Sequence, residues 1–322
     1  MGVSAYAADD WDNAIAQLTT ALSKTKPNKA ALDPYLIYFY RGNAYYFKGE
    51  YDLAIEDLNE ALKLNPNSAK AFYNRGVAYG NKGEYDRAIA DFTAAINLNP
   101  KEPAAFYNRG FSYGNKGEYD RAIADFTAAI NLNPKDAEAF YNRGLAYGNR
   151  WELERAITDF TAAINLNPKN AIYFYNRGLA YYYKGELDRA IVDFTAAINL
   201  NHKYAIAFYN RGLAYGNKWE LERAITDFTA AIKLNPKEPV AFYNRGLAYG
   251  KKGELARAIA DFTAAINLNP KYAEAFYNRG YAYERKGDKV KAIESYRQGL
   301  AVTQNPQVKE FVQRKLKELE AN

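Results

Sequence analysis

Arg41, Arg75, Arg109, Arg143, Arg177, Arg211 and Arg245 are each followed sixteen residues later by an aspartate: Asp57, Asp91, Asp125, Asp159, Asp193, Asp227 and Asp261. An eighth arginine, Arg279, is followed at that spacing by Ser295. Carboxylates can act as general acids and bases, but an acid–base centre is not normally copied seven times along one chain. A guanidinium and a carboxylate at fixed spacing predict instead a charge-assisted pair bracing two elements, within one repeating unit or between neighbours. His202 is the single histidine, so a zinc site or a nucleophilic triad lacks its other members. Without cysteine there is no thiolate nucleophile, cysteine-ligated metal or disulfide, and the redox compartment stays open. The run Gly76-Val77-Ala78-Tyr79-Gly80-Asn81-Lys82-Gly83 is glycine-rich like a phosphate loop, yet it lacks the Gly-Lys-Ser/Thr ending and follows no strand. The residues predict no catalytic centre, no metal and no cofactor: the chain reads as a non-enzyme.

The elements that carry these residues repeat. Asn-Arg-Gly places glycine at 76, 110, 144, 178, 212, 246 and 280, after a variant Tyr40-Arg41-Gly42, always in steps of thirty-four residues. Counting repeat positions from 1, full repeats begin at Tyr35, Ala69, Pro103, Ala137, Ala171, Ala205, Pro239 and Ala273. The stretches 80–101 and 114–135 are identical, and Trp151 to Phe160 recurs as Trp219 to Phe228, which suggests duplication of a two-repeat block. Within each repeat, an aromatic at position 4, glycine at 8 and tyrosine at 11 share one helical face, as Phe72, Gly76 and Tyr79 do. A second stripe, such as Ala88, Ile89, Phe92, Ala95 and Ile96, marks a second helix. A left-handed glycine cap (Gly83, Gly117) separates the two helices, and Asn-Pro (Pro100, Pro134) closes the second. Glycine inside a helix costs about 1 kcal/mol relative to alanine, so the position-8 glycine predicts a close crossing where no side chain fits.

Length alone, at 322 residues, allows two ordinary domains, but the repeat overrules that division. Apolar residues make up 48% and tyrosines number 30, enough to fold the chain along its whole length. Forty-three basic against thirty-seven acidic residues give +6, with the signs interspersed, which argues only weakly for a polyanionic partner. No apolar run approaches the roughly 18 residues that span a bilayer, and the N-terminus lacks a signal-like pattern, so a soluble chain with no membrane contact is expected.

The residues above resemble the tetratricopeptide repeat (TPR) family, whose pattern has a large aromatic at position 4, Gly at 8, Tyr at 11, Ala at 20, Phe at 24, Ala at 27 and Pro at 32. The resemblance implies an all-α, right-handed superhelical solenoid of antiparallel helix pairs. One departure is general: position 7, usually leucine, is arginine throughout. Position 32 departs at His202, read as a plain turn substitution, and at Gln304. Residues 1–34 read as a truncated first repeat and linker, with Gly2 already at position 8, Asp10 to Leu22 as its second helix and six extra residues around Pro27 to Pro34. That truncation suggests an array beginning further upstream. Residues 35–306 are eight tandem repeats, and 307–322 form a capping helix with Val308, Phe311, Val312, Leu316 and Leu319 on one face.

If positions 4, 8 and 11 face the core, positions 2, 5, 6, 9, 12 and 13 face away, toward what the resemblance implies is a concave groove. Position 6 is asparagine in seven successive repeats, Asn74, Asn108, Asn142, Asn176, Asn210, Asn244 and Asn278. An amide donates and accepts, so such a row can bond an extended peptide backbone without reading its side chains; locally bonded amides are the alternative. The row is similar to the asparagine ladder in the repeat region of O-linked N-acetylglucosamine transferases, of whose catalytic domain these residues hold no counterpart. Tyrosines at position 5, including Tyr141, Tyr175 and Tyr209, either line this groove or fill the seam between adjacent first helices. Position 9 supplies an apolar strip through Leu145, Leu179 and Leu213. Positions 12 and 13 are Gly-Asn in four repeats but Tyr46-Phe47 and Tyr182-Tyr183 in two others, so specificity is expected near Tyr182 and Tyr183. Trp151 and Trp219, where a cap glycine is expected, are either anchors at the groove's edge or a turn variant copied by duplication. Position 5 lacks the lysine of chaperone-binding carboxylate clamps, which excludes that partner class.

The combined expectation is a protein–protein interaction scaffold holding an extended or partly helical peptide or protein segment. Two alternatives stand beside it. Loop lysines such as Lys101, Lys135, Lys169, Lys203, Lys237 and Lys271 could track single-stranded nucleic acid, although a solvated charge is the simpler reading. The truncated first repeat could also let arrays self-associate through their ends.

Overall fold

The structure is a computed structural model that describes residues 10–23 and 33–321. Gly2 and the inserted segment around Pro27 lie outside the described residues. The described chain contains eighteen α-helices and no strand. It divides into two compact units, with the boundary between Asn167 and Pro168.

In the first unit the helices are α1 (Trp11–Ser23), α2 (Pro34–Phe47), α3 (Tyr51–Leu64), α4 (Ala69–Asn81), α5 (Tyr85–Leu98), α6 (Pro103–Asn115), α7 (Tyr119–Leu132), α8 (Ala137–Asn149) and α9 (Leu153–Leu166). The second unit contains α10 (Ala171–Tyr183), α11 (Leu187–Leu200), α12 (Ala205–Asn217), α13 (Leu221–Leu234), α14 (Pro239–Lys252), α15 (Leu255–Leu268), α16 (Ala273–Lys286), α17 (Lys289–Val302) and α18 (Pro306–Ala321). Within each unit every helix packs on the next in the chain, so helix pairs stack in tandem. A first and a second helix make one repeat, as the thirty-four-residue period requires.

Local chemistry sets the boundaries. First helices start on side-chain caps: Ser68 Oγ accepts the Ala71 N–H, and Asp136 accepts from both Glu138 and Ala139. Pro34, Pro103 and Pro239 occupy the first turn, where a missing N–H leaves no bond unmade. Between the helices, Gly49, Gly83, Gly117, Gly185, Gly253 and Gly287 take φ between 77° and 83°. Trp151 and Trp219 keep the same turn with φ of 60° and 61°, a conformation that costs a side-chain-bearing residue about 1–2 kcal/mol.

The core runs along the interface between first and second helices. Position-20 alanines such as Ala88, Ala122 and Ala190 are fully buried, as are the position-24 rings Phe92, Phe126 and Phe194. A Cβ on Gly76 would lie 2.8 Å from Phe92 Cε1 and 3.2 Å from Asp91 Cβ, so the second helix approaches the first through the gap this glycine leaves. Position-4 aromatics are less buried than the core assignment suggests. Phe72, Phe106 and Phe140 are half-buried, and each ring also carries the arginine of its own repeat, as Arg75 does 5.5 Å from the Phe72 ring centre.

The first end uses the contacts of the interior repeats. Thr19 accepts from Arg41 Nη1 at 3.0 Å, and Asp12 holds Lys48 Nζ at 2.7 Å, the bonds that Thr93 makes to Arg109 and Asp52 to Lys82. At the far end, Val312 and Leu316 of α18 are buried against Ala292 and Tyr296, with Val308 and Leu319 beside them. Phe311, placed on that stripe by its spacing, is instead 46% exposed.

Candidate functional site

The repeated ion pair forms inside each repeat. Arg109 Nε donates to Asp125 Oδ2 and Nη2 to Asp125 Oδ1, both at 2.8 Å, joining α6 to α7. The pairs Arg41–Asp57, Arg75–Asp91, Arg143–Asp159, Arg177–Asp193, Arg211–Asp227 and Arg245–Asp261 have the same two-bond geometry at 2.6–2.8 Å. A third bond reaches the preceding repeat, from Arg109 Nη1 to Thr93 Oγ1 at 3.0 Å and from Arg211 Nη1 to Thr195 Oγ1 at 2.9 Å. The aspartates are buried, and each is engaged through both oxygens by the arginine of its own repeat. Hydrogen bonding to Asp125 raises the Arg109 pKa, and Arg143 is raised in the same way by Asp159.

On the opposite face of the first helices, the seven asparagines and the position-5 tyrosines are all half-buried. Asn108 Nδ2 donates to Tyr73 Oη at 3.0 Å and to the Ala104 carbonyl, one turn back, at 2.8 Å. Asn142 repeats this with Tyr107 and Glu138, Asn210 with Tyr175 and Ile206, Asn244 with Tyr209 and Val240, and Asn278 with Tyr243 and Glu274. Asn176 bonds the Ile172 carbonyl, and Asn74 donates to Asn43 Oδ1 at 2.7 Å. The amide donors expected to meet a peptide backbone are thus spent inside the protein. The Nδ2 group sits within reach of both a carbonyl of its own helix and the hydroxyl of the previous repeat.

The tyrosines fill the seam between successive first helices. Tyr107 packs on Phe126 of its own repeat, with ring centres 5.7 Å apart, and against the cluster containing Ala139 of the next. Tyr141 and Tyr209 lie on Phe160 and Phe228 in the same way. Burial pushes the hydroxyls of Tyr107 and Tyr175 up to about 12; the charges of Glu138 and Asp136 add to the first, and neighbouring tyrosines to the second. For the pairs with both partners in one unit, the amide oxygen and the hydroxyl proton have no further partner among the described residues.

Position 9 carries apolar side chains in both units. Leu145, Leu179 and Leu213 are half-buried, and Phe111 is 46% exposed. Between Phe111 and Leu145 lies a hollow of 180 Å³, also lined by Gly114, Asn142 and Asn149. Its floor is open because Gly114 meets nothing nearer than the Ala122 Cβ at 4.0 Å. Unlike position 8, position 12 is glycine without any packing need. Where it is tyrosine, a second seam bond forms: Asn217 Nδ2 donates to Tyr182 Oη at 2.9 Å. Tyr183 stands 58% exposed against Tyr182, with ring centres 5.6 Å apart. Trp151 and Trp219 are 69% and 68% exposed, and Lys251 Nζ lies 4.7 Å from the Trp219 ring centre.

The family profile described as TPR repeat matches residues 42–83, 112–149, 152–185, 178–218 and 220–253, more than half of the chain. The chain belongs to the tetratricopeptide repeat family. Further profiles described as Tetratricopeptide repeat match residues 69–102, 92–124 and 243–307. Among solved TPR structures, the chain is similar to YrrB, described as "a TPR protein with an unusual peptide-binding site", at 26% identity and a TM-score of 0.52. That match covers 59% of this chain and 97% of YrrB. It is also similar to MamA from Desulfovibrio magneticus, at 27% identity and a TM-score of 0.52, covering 54% of this chain and 99% of that one. The C-terminal part of a TPR repeat-containing protein from Cytophaga hutchinsonii shares the fold at 20% identity and a TM-score of 0.65, covering 74% and 98%. No curated protein matches the chain.

TPR arrays are protein-interaction scaffolds, and this TPR chain carries the family's pattern with an arginine–aspartate brace added. His202 is exposed in the turn before α12. Among the described residues there is no group of histidines and carboxylates fit to hold a metal, and no helix is long and apolar enough to cross a membrane. Lys101, Lys135 and Lys237 are exposed, and each is followed at once by a carboxylate, Glu102, Asp136 or Glu238. Sequence reasoning missed the third arginine bond, although position 25 is threonine in six of the eight repeats and Asn59, which accepts from Arg75, in the first.

Proposed function

We propose that this TPR chain holds an extended segment of a partner protein along the face of its first helices, in the groove that the family's superhelix implies. The observation that carries this reading is the hydrogen-bonding capacity left over at the seams within each unit. With both Nδ2 hydrogens of Asn108 committed, its Oδ1 can still accept, and the Tyr73 hydroxyl can still donate its proton. One amide oxygen and one hydroxyl proton per repeat match the N–H and C=O of a peptide unit. The asparagine ladder is in this reading an asparagine–tyrosine ladder: Asn108, Asn142, Asn210, Asn244 and Asn278 supply acceptors, and Tyr73, Tyr107, Tyr175, Tyr209 and Tyr243 supply donors. Leu145, Leu179, Leu213 and Phe111 offer apolar contact beside it, while Tyr182 and Tyr183 change the surface in one repeat. YrrB, described as having a peptide-binding site, supports peptides as the ligand class.

The test is selection of a random dodecapeptide library on the immobilised chain, followed by affinity measurement on synthetic peptides. Peptides with micromolar affinity are expected. The double variant F111S/L145S should weaken them about tenfold, roughly the loss of 1.4 kcal/mol of apolar contact. N-methylation of the bound peptide backbone should weaken them further. No enrichment, or peptides indifferent to F111S/L145S, refutes the proposal.

A further inference from the structure

Seven repeats neutralise their position-7 arginine with their own aspartate, and the eighth does not. There Arg279 Nε donates to Ser295 Oγ at 3.1 Å and Nη2 to Gln298 Oε1 at 2.7 Å, both neutral acceptors. The remaining nitrogen, Nη1, which in Arg211 and Arg245 bonds a threonine of the preceding repeat, makes no hydrogen bond among the described residues. Ser295 is buried and one carboxyl group shorter than the aspartate that fills this place elsewhere. A cavity of 640 Å³ lies between α15, α16 and α17, lined by Asn267, Phe276, Arg279, Ser295 and Gln298 among others; the corresponding cavity beside Arg41, 780 Å³, is lined by Asp57, so the two differ in the carboxylate and not in having room.

Arg279 is the cation of this cavity that has no carboxylate at hydrogen-bond distance. Lys291 at its edge is held by Asp288 at 3.1 Å. Glu294, also on the lining, is exposed and takes a 3.3 Å bond from Gln298 Nε2; its charge raises the Arg279 pKa, but less than burial lowers it, and it makes no hydrogen bond to the guanidinium. Arg279 is held by its stack on Phe276, 5.4 Å from the ring centre, so the guanidinium plane is fixed before any ligand arrives. Alone among the eight arginines, it has a pKa that burial lowers; the other seven are raised. A half-buried guanidinium facing neutral oxygens gains most from a carboxylate, which can accept two parallel charge-assisted bonds.

We propose that the cavity at Arg279 is a binding site for a carboxylate, brought by a ligand to the place that an aspartate of the chain occupies in the seven sister repeats. The site lies on the arginine face and is independent of the peptide face proposed above. Acetate and the side chain of N-acetyl-glutamate amide present this chemistry as a free small anion and as a protein side chain.

The experiment follows the arginine Nε–Hε resonances of the whole chain by NMR as each probe is added at constant ionic strength against chloride. Arg279→Gln identifies the resonance by its loss. A saturable displacement of Arg279 and of none of the seven paired arginines is expected, and Ser295→Asp should weaken it at least about tenfold because the chain then supplies its own carboxylate. Tighter binding of either probe supports the site and assigns the source. No saturable displacement with either, or one undiminished in Ser295→Asp, overturns the proposal.

Discussion

The Asn142 amide and the Tyr107 hydroxyl, thirty-five residues apart, meet at 3.0 Å across the seam between α6 and α8. The bond recurs between Tyr73 and Asn108, Tyr175 and Asn210, Tyr209 and Asn244, and Tyr243 and Asn278. A residue pair that repeats with the array is first a staple between repeats, and any ligand contact is made with what the staple leaves over. Replacing Asn142 by alanine therefore removes two internal hydrogen bonds, and a loss of about 1–2 kcal/mol in unfolding free energy is expected. A urea melt checks it, and an unchanged midpoint would show the staple to be energetically idle.

The arginine–aspartate brace has a sharper signature. Asp125 is buried, and Asp125→Ala strands a guanidinium among aromatic rings, so a loss of about 3–5 kcal/mol is expected. The double replacement R109M/D125L removes both charges and should recover most of that loss. Equal damage from the single and double variants would contradict the assignment of the cost to an uncompensated charge.

Two glycines on one helix should respond with opposite sign. Gly76→Ala drives a methyl to 2.8 Å from the Phe92 ring and should destabilise by about 1–3 kcal/mol. Gly80→Ala meets nothing nearer than 4.0 Å and should stabilise by about 0.5–1 kcal/mol through helix propensity. Thermal melts of the two variants read the difference directly.

Trp219 holds a left-handed backbone with its ring 68% exposed. Trp219→Gly relieves strain of about 1–2 kcal/mol and gives up a Lys251 contact worth about 0.5–1 kcal/mol at an exposed site. The net expectation is a small rise in stability. A fall in the unfolding midpoint would mean that the tryptophan contributes packing beyond that contact.

Alkaline titration should unfold the chain through its tyrosine seam. The Tyr107 and Tyr175 hydroxyls titrate at about 12 in the folded state against 10.0 ordinarily, so the folded state retains protons that the unfolded state releases. Their contribution is complete below pH 10 and declines as pH rises toward 12. Tyr107→Phe and Tyr175→Phe should flatten that decline in melts run between pH 9 and 12.

The fold was legible because it is written eight times. Phe92 against Gly76, the left-handed caps and the Arg–Asp brace all follow from residue type and spacing alone. What the spacing could not give was the direction of a polar side chain. Asn142 lies on the face its helical position assigns, yet its hydrogens turn to Tyr107 and Glu138, because a seam partner appears only when two repeats are placed side by side. Phe72 likewise has core spacing, but it shares its ring with Arg75. Trp151 and Trp219 kept the turn, which the sequence left open between an anchor and a copied variant.

The wiring of the brace and the staple reaches sixteen or thirty-five residues along the chain and no further within either unit. Such short reach makes folding fast and lets structure be lost joint by joint, since opening one repeat sacrifices only the contacts to its neighbours. A guest laid across several joints would oppose their opening, so the tautness of the array and its occupancy should rise together.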